Sequence, residues 1–368
     1  MNYKQCNRCV MDTTAENIFF DDNGYCNFCS EFLVRFNKGY SDLSSNLESF
    51  ISKIKNDGKG KIYDCIVGVS GGADSSYTLY LAKKYGLRVL AVHMDNGWNS
   101  ELASNNIEKL ISKMEVDFYS HVIDWDEYKK LMHSFFDADV INIELLYDNA
   151  MLAVNYRLAS KYGIKYILSG SNNATEGMMM PGNWNWNNYD KRNIRSIAKT
   201  QNVKIKTFPL IGTIDYLYYR LIKKIKWIPF LDYVDYNKED SMEFLEKNYQ
   251  FKKYPYKHYE SVFTRFYQGY ILPTKFEVDK RKLHFSNLIM SNQMKRAEAI
   301  KKLNTIPYNS KSELLEDKNY VLKKLNWTNK KLQSYISRKE IKHSEYSTEK
   351  PFWDFCLKTY QNFFKSVQ

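Results

Sequence analysis

Asp64-Cys65-Ile66-Val67-Gly68-Val69-Ser70-Gly71-Gly72-Ala73-Asp74-Ser75-Ser76 runs from a short β-rich segment, through a bend of two glycines, into a helical pattern that continues to Lys84. A glycine pair between a buried strand and a helix start suits an anion. Without a Cβ the backbone N–H groups can approach a phosphate, the free N–H groups of the helix N-terminus point outward, and the hydroxyls of Ser70, Ser75 and Ser76 add donors. A carboxylate in such a loop repels phosphate unless a cation intervenes, so Asp74 is the natural Mg²⁺ ligand. No Gly-Lys-Ser/Thr follows, which excludes a Walker P-loop.

Working outward, Arg88 to Met94 reads as a second strand, Asp117 to Ile123 as a third and Ile164 to Leu168 as a fourth, with helices at Asn105 to Met114 and near 126–136 and 147–162. Strands separated by helices predict an α/β fold with a doubly wound, mainly parallel sheet, because parallel neighbours need crossovers. Ligands then belong at the C-terminal ends of the strands. Upstream, the apolar spacing of Leu43, Leu47, Phe50, Ile51 and Ile54 predicts a connecting helix closed by Asp57-Gly58-Lys59-Gly60. Beyond about residue 215 the chain turns helical, basic and aromatic, and no strand alternation is evident. The expected organisation is a small module at 1–42, a sheet domain at 43–215 and a helical substrate and partner domain at 216–368.

Four of the six cysteines fall in the first thirty residues, as Cys6-x2-Cys9 and Cys26-x2-Cys29. This paired spacing lets four thiolates surround one ion tetrahedrally, as in zinc ribbons, and four protein ligands leave no open position, so the metal is expected to be structural Zn²⁺. The alternatives are an Fe–S centre and disulfides, the latter disfavoured in a reducing compartment. Cys65, inside the first strand, and Cys356 read as small buried hydrophobes, which weakens a sulfur-transfer reading.

The chain of 368 residues is 44% apolar and 26% charged, a globular composition. No apolar run approaches the roughly 18 residues that span a bilayer, and the start lacks an apolar signal segment, so a cytoplasmic, reduced protein is expected. The net charge of +12 is unevenly placed: residues 1–150 hold 15 basic and 22 acidic side chains, residues 151–368 hold 39 and 20. That asymmetry favours an anionic partner for the C-terminal part: nucleic acid, an anionic membrane surface, or phosphorylated and carboxylated small molecules.

Ser-Gly-Gly-x-Asp-Ser after a strand resembles the PP-loop ATP pyrophosphatases, which split ATP between its α and β phosphates and adenylate a carbonyl oxygen. The resemblance assigns Ser70, Gly71, Gly72, Asp74, Ser75 and Ser76 to the phosphates. It also assigns the second strand end, with His93 and Asp95, to adenine and ribose, and Ser169 to Gly177, with Ser171 and Asn172, to the lining of nucleotide and acceptor. Three longer strings are similar to the N-acetyl sugar amidotransferases of bacterial surface-polysaccharide (lipopolysaccharide O-antigen) synthesis: Cys6 to Thr14, Ala91 to Leu102, and Lys257 to Pro273. Asp279-Lys280-Arg281-Lys282 carries the likeness to about residue 300.

This second resemblance implies conversion of a sugar N-acetyl group into an acetamidino group, with ATP and ammonia consumed and AMP and pyrophosphate released. It implies an acidic N-acetylated sugar as acceptor. Lys257 and Arg265 are then expected as anion clamps and Glu260 as a polar orienter, with Asp74 completing the catalytic set. Neither Cys65 nor Cys356 has a nucleophile's surroundings. No glutaminase is therefore expected within this chain, and the resemblance implies a separate glutaminase subunit that supplies the ammonia, with a cyclase-like barrel companion to channel it. The competing expectations are a tRNA-modifying PP-loop enzyme, favoured by the basic, aromatic C-terminal part, and a non-catalytic zinc-and-nucleotide scaffold; nucleic acid is the less expected partner.

Overall fold

A computed structural model of the chain describes residues 3–44, 46–254 and 259–365. Its centre is a five-stranded, wholly parallel sheet of β1 (Cys65–Gly68), β2 (Val89–Asp95), β3 (Asp117–Val122), β4 (Tyr166–Ser169) and β5 (Lys226–Pro229), in the order β3-β2-β1-β4-β5. The chain reverses direction across the sheet between β1 and β4. That is the switch point where open α/β sheets bind ligands.

Side chains alternate across the central strands. Cys65 and Val67, Val89 and Ala91, and Tyr166 and Leu168 enter one core, with α2 (Leu47–Asp57) and α3 (Ala73–Lys84). Ile66, Leu90, Val92, Met94 and Ile167 enter the other, with α5 (Trp125–Asp137), α6 (Leu145–Lys161) and much of the C-terminal part. Continuous apolar runs in β1 and β2 are what a strand covered on both faces requires. Between β2 and β3 runs α4 (Glu101–Met114), capped by Ser100, whose Oγ accepts from Ala103 N at 3.2 Å, and closed by Glu115 in the left-handed region at φ 48°.

Two features depart from the sequence reading. The strand Lys226-Trp227-Ile228-Pro229 pairs with β4, so the sheet continues past residue 215. It is half-buried along its whole length and ends in proline, which suits an edge position and leaves no alternation to read. The cysteine segment is followed by α1 (Asn27–Ser44), and Cys6, Cys9, Cys26, Cys29, Phe28 and Phe32 belong to the same core as α5 and α6. Among the described residues no helix is long and apolar enough to cross a membrane.

Candidate active site

Two cavities open at the C-terminal ends of the strands. The larger, about 740 Å³, is bounded by Gly68 to Ser70, Gly72 to Ser75, the β2 residues Val92 and Met94, and Ser169 to Ser171. Gly71 has φ +83°, and a Cβ there would lie 2.8 Å from the Ala103 carbonyl oxygen of α4. Gly170 has a different reason: a Cβ would come within 2.6 Å of Ser75 N, so the loop after β4 rests on the first turn of α3. Ser75 holds the bend together, its Oγ accepting from Ser70 N at 3.2 Å and donating to Gly72 O at 3.2 Å. The Tyr254 hydroxyl donates to Gly71 O at 2.7 Å, and Asn106 of α4 donates to that hydroxyl at 3.2 Å.

Asp74 sits in the first turn of α3, where the helix dipole favours a carboxylate. The Tyr236 hydroxyl donates to its Oδ1, and Lys238 Nζ lies 3.7 Å from Oδ2. Burial, and then the Asp74 charge, push the Tyr236 hydroxyl far above its ordinary range, so it stays a donor at every working pH. Sequence reasoning missed both partners. Tyr236 stood in a run of tyrosines and Lys238 in a lysine-rich region, with no spacing to tie either to residue 74.

The other expected nucleotide residues divide. Ser70, Gly72, Asp74, Ser75 and Ser171 line the larger cavity. Ser76 is fully buried and lines neither cavity, because the second residue of α3 past Asp74 turns toward the core. His93 also turns away, since strand alternation places it opposite Val92 and Met94. Its Nδ1 bonds Val69 O at 2.7 Å and its Nε2 pairs with Asn99 Nδ2 at 2.9 Å, so it ties β2 to the loop after β1 while burial lowers its pKa. Asp95 Oδ1 accepts from Gly97 N at 2.7 Å, and Asn172 Oδ1 accepts from Thr175 N at 2.8 Å. Both hold turns rather than face the cavity.

The second cavity, about 550 Å³, adjoins the first, and Ser70, Tyr147, Glu176, Glu260, His284 and Phe285 border both. Its walls come from α6, the loop after β4, and the helices Val262–Phe266 and Arg281–Met290. Here Glu260 stands at the junction beside Gly72, where a Cβ would lie 3.9 Å from the Glu260 carboxyl carbon. Arg265 lines this cavity but is already engaged. Its Nε and Nη2 bond both oxygens of Asp317, and its guanidinium lies 3.9 Å from the Tyr259 ring centre. It therefore faces the cavity as an ion-paired guanidinium. Lys257 lies outside the described residues.

Other cations here are paired as well: Lys280 with Glu144 at 3.1 Å, and Arg281 with Asp279 at 2.7 Å. Glu144 also accepts from Gln268 at 2.9 Å. One turn along α6, burial and then the Glu144 charge raise the Asp148 carboxyl to about 7, against the opposing pull of Lys280.

The four cysteine sulfurs lie within 4.8 Å of one another, with Cys6 to Cys29 at 3.8 Å and Cys9 to Cys26 at 3.5 Å. Tetrahedral thiolate ligation at about 2.3 Å places sulfurs about 3.8 Å apart, so the donor set fits a soft ion in a structural role. Backbone N–H groups of Arg8, Cys9 and Cys26 point at Cys6 Sγ, and Arg8 donates twice to Cys29 Sγ at 3.2 and 3.1 Å, which offsets the thiolate charge. The centre is fastened to the second cavity's wall. Arg296 donates to Cys9 O and Cys6 O at 2.9 and 2.8 Å, Ser286 accepts from Val10 N at 3.2 Å, and Lys282 pairs with Asp12.

Residues 260–360 match the family described as LPS biosynthesis protein WbpG-like, C-terminal domain, and residues 64–213 match queuosine biosynthesis protein QueC, a PP-loop family. The chain resembles PP-loop proteins in its sheet and WbpG-like proteins in its C-terminal part. The WbpG-like match runs well past residue 300, where the sequence reading lost the likeness. A tRNA(Ile)-lysidine synthase of Chlamydia pneumoniae is 34% identical over 64 residues, 17% of this chain and 20% of that protein, so the match spans about a fifth of that relative. NMN synthetase of Francisella tularensis aligns at 16% identity over 63% of this chain and 99% of its own, with a TM-score of 0.29. The U34-tRNA thiolase NcsA of Methanococcus maripaludis, with its 4Fe-4S cluster, aligns at 14% identity over 84% and 92%, with a TM-score of 0.32.

Proposed function

We propose that the chain is an ATP-dependent, AMP-forming amidotransferase that converts an N-acetyl group of a sugar into an acetamidino group. One observation carries the reading: a glycine-and-serine phosphate cradle and a separate acceptor cavity share a wall at Ser70 and Glu260. An amide carbonyl is a poor electrophile, but its oxygen can attack the α-phosphorus of ATP, after which AMP leaves when ammonia adds to the carbon. Catalysis then consists of holding pyrophosphate and aligning oxygen with phosphorus. Ser70, Gly72 and Ser75 supply the donors. Asp74 would hold Mg²⁺, which would neutralise phosphate charge, and Tyr236 and Lys238 keep its carboxylate turned toward the cavity. Cys6, Cys9, Cys26 and Cys29 would hold a structural Zn²⁺.

Ammonia comes from a partner glutaminase. Burial pushes the Cys65 thiol far up, and the four N-terminal cysteines face one another, so none of these five is an activated nucleophile. The test is incubation with ATP, Mg²⁺, ammonium chloride and a panel of acidic and neutral diacetamido sugars. AMP, pyrophosphate and a product about one mass unit lighter, as oxygen is replaced by NH, are expected. ADP in place of AMP would overturn the reading.

A second reading, a tRNA-modifying enzyme, is favoured by the +19 balance of residues 151–368 and by the match to a tRNA(Ile)-lysidine synthase. It requires steeply salt-dependent tRNA binding, whereas the sugar reading does not.

A further inference from the structure

We infer that Asp148 is the base that takes a proton from the incoming ammonia, from the part of the acceptor cavity's wall that the nucleotide cavity does not share. The inference rests on the amidotransferase reading of this site. Asp148 lines the acceptor cavity and does not border the nucleotide cavity, whereas Glu176, Glu260 and His284 border both. Ammonia adds to one face of the trigonal activated carbon while AMP is still attached and seated in the nucleotide cavity, so the proton acceptor belongs on a wall that the nucleotide does not occupy. Of the two carboxylates that α6 presents there, Glu144 is held by Lys280 and Gln268. Asp148 is the one left to exchange a proton.

The groups around it are accounted for. From α6 come Glu144 one turn before and Tyr147 beside it; from the loop after β4 come Asn188, which bonds the carboxylate, and Glu176; across the cavity stand Lys280, Arg281, His284, Arg265 and Glu260. Burial and Glu144 make Asp148 a stronger base than an ordinary aspartate, with a pKa of about 7, while Lys280 keeps it from rising further.

The step balances without a further reactant. The adenylated amide is an imidate cation, and the nitrogen lone pair of ammonia forms a C–N bond to its carbon, leaving a tetrahedral adduct that carries NH₃⁺. The adduct gives one proton to the Asp148 carboxylate. The C–O bond to AMP then breaks, with its electron pair leaving on AMP, and the amidinium product forms. Below the pKa the carboxyl is already protonated and the step stalls, so the rate falls on the acid side.

Two measurements test this on the full-length, metal-loaded chain. With a diacetamido-sugar acid as acceptor, Asp148→Asn is expected to lose amidine formation by about 100-fold or more while acceptor-dependent exchange of labelled pyrophosphate into ATP survives, because adenylation needs no such base. Asp148→Glu is expected to restore part of the rate. Product formed by Asp148→Asn at the wild-type rate, or loss of exchange together with product, overturns the assignment. Absence of exchange in the wild-type chain fails the amidotransferase reading instead. Independently of any acceptor, carbon-13 NMR of labelled aspartate carboxyls is expected to show one titration near pH 7 that vanishes in Asp148→Asn, and its absence in the wild-type chain also overturns the proposal.

Discussion

The cavity proposed for the nucleotide has at its floor a bend of glycines and hydroxyls around Asp74, whereas the one proposed for the acceptor carries Lys280, Arg265 and Arg281, each already held by a carboxylate. The floor of the first comes from two loops at neighbouring strand ends, after β1 and β4, while its rim reaches residue 309. The second gathers residues from 70 to 307 and has no such local floor. A cradle of N–H groups is fixed by local geometry. A network of ion pairs is fixed by whatever brings distant elements together, here including the cysteine centre. The two should therefore fail in different ways.

The sharpest break is at Gly170. In Gly170→Ala the new Cβ meets Ser75 N at 2.6 Å and Asp74 C at 2.7 Å, both backbone atoms that cannot rotate aside, so the loop after β4 must part from α3. AMP formation should fall by about 100-fold or more, with ATP affinity by calorimetry falling in parallel and acceptor affinity retained. If ATP affinity is unchanged, the two loops do not act as one floor.

Metal removal is expected to reach the other cavity. The centre grips the helix Arg281–Met290 through Ser286 and Lys282, and that helix supplies Arg281, Leu283, His284 and Asn287 to the acceptor wall. On chelation, amide exchange should rise in 281–290 before it rises in α3, and the KM for acceptor should climb more than that for ATP, because the loop after β1, which floors the other cavity, lies outside this helix. Uniform exchange along the chain would mean the centre supports the whole core and not this wall in particular.

A third test targets the held arginine. Removing one partner of a buried, hydrogen-bonded ion pair leaves a charge uncompensated and costs about 3–5 kcal/mol. Arg265 and Asp317 are 12% and 7% exposed, so Asp317→Ala should lower thermal stability by several degrees. Joint replacement by Arg265→Met and Asp317→Leu should recover much of it. An Arg265→Met change that weakens acceptor binding without any loss of stability would return Arg265 to the role of an anion clamp.

These contrasts also explain what could be read from sequence. The bend at Ser70 to Ser76, the first four strands and the paired cysteines are local patterns, set by glycine freedom, apolar runs and ligand spacing. The ion pair of Arg265 was not legible because its partner Asp317 lies 52 residues on, in a stretch without a pattern to tie them. His93 and Ser76 sit inside correctly read elements but point away from the site, since naming an element does not by itself settle which face each residue takes. Tyr236, Lys238 and Asp148 carry no motif. They become site residues only when the sheet brings residue 236 to Asp74 and α6 to the Arg281–Met290 helix.

The smallest effect is expected at Asn155, and it separates binding from stability. Asn155 is 2% exposed and lines the nucleotide cavity; its Nδ2 donates to Met151 O at 2.9 Å, which leaves Oδ1 facing Gly68 without a partner. A buried acceptor left unpaired costs about 1–3 kcal/mol in the free chain. Asn155→Leu replaces that atom with apolar surface beside Met151 and Trp227, so the nucleotide-free protein should melt at the same temperature or a few degrees higher. If the cavity keeps this acceptor for a donor on ATP, the same variant should bind ATP several-fold more weakly, and ligand-induced stabilisation should shrink as the free protein gains. Loss of stability with unchanged ATP affinity would make Asn155 an ordinary packing residue of α6. Recognition of ATP would then rest on the bend from Ser70 to Ser75 and on Asp74.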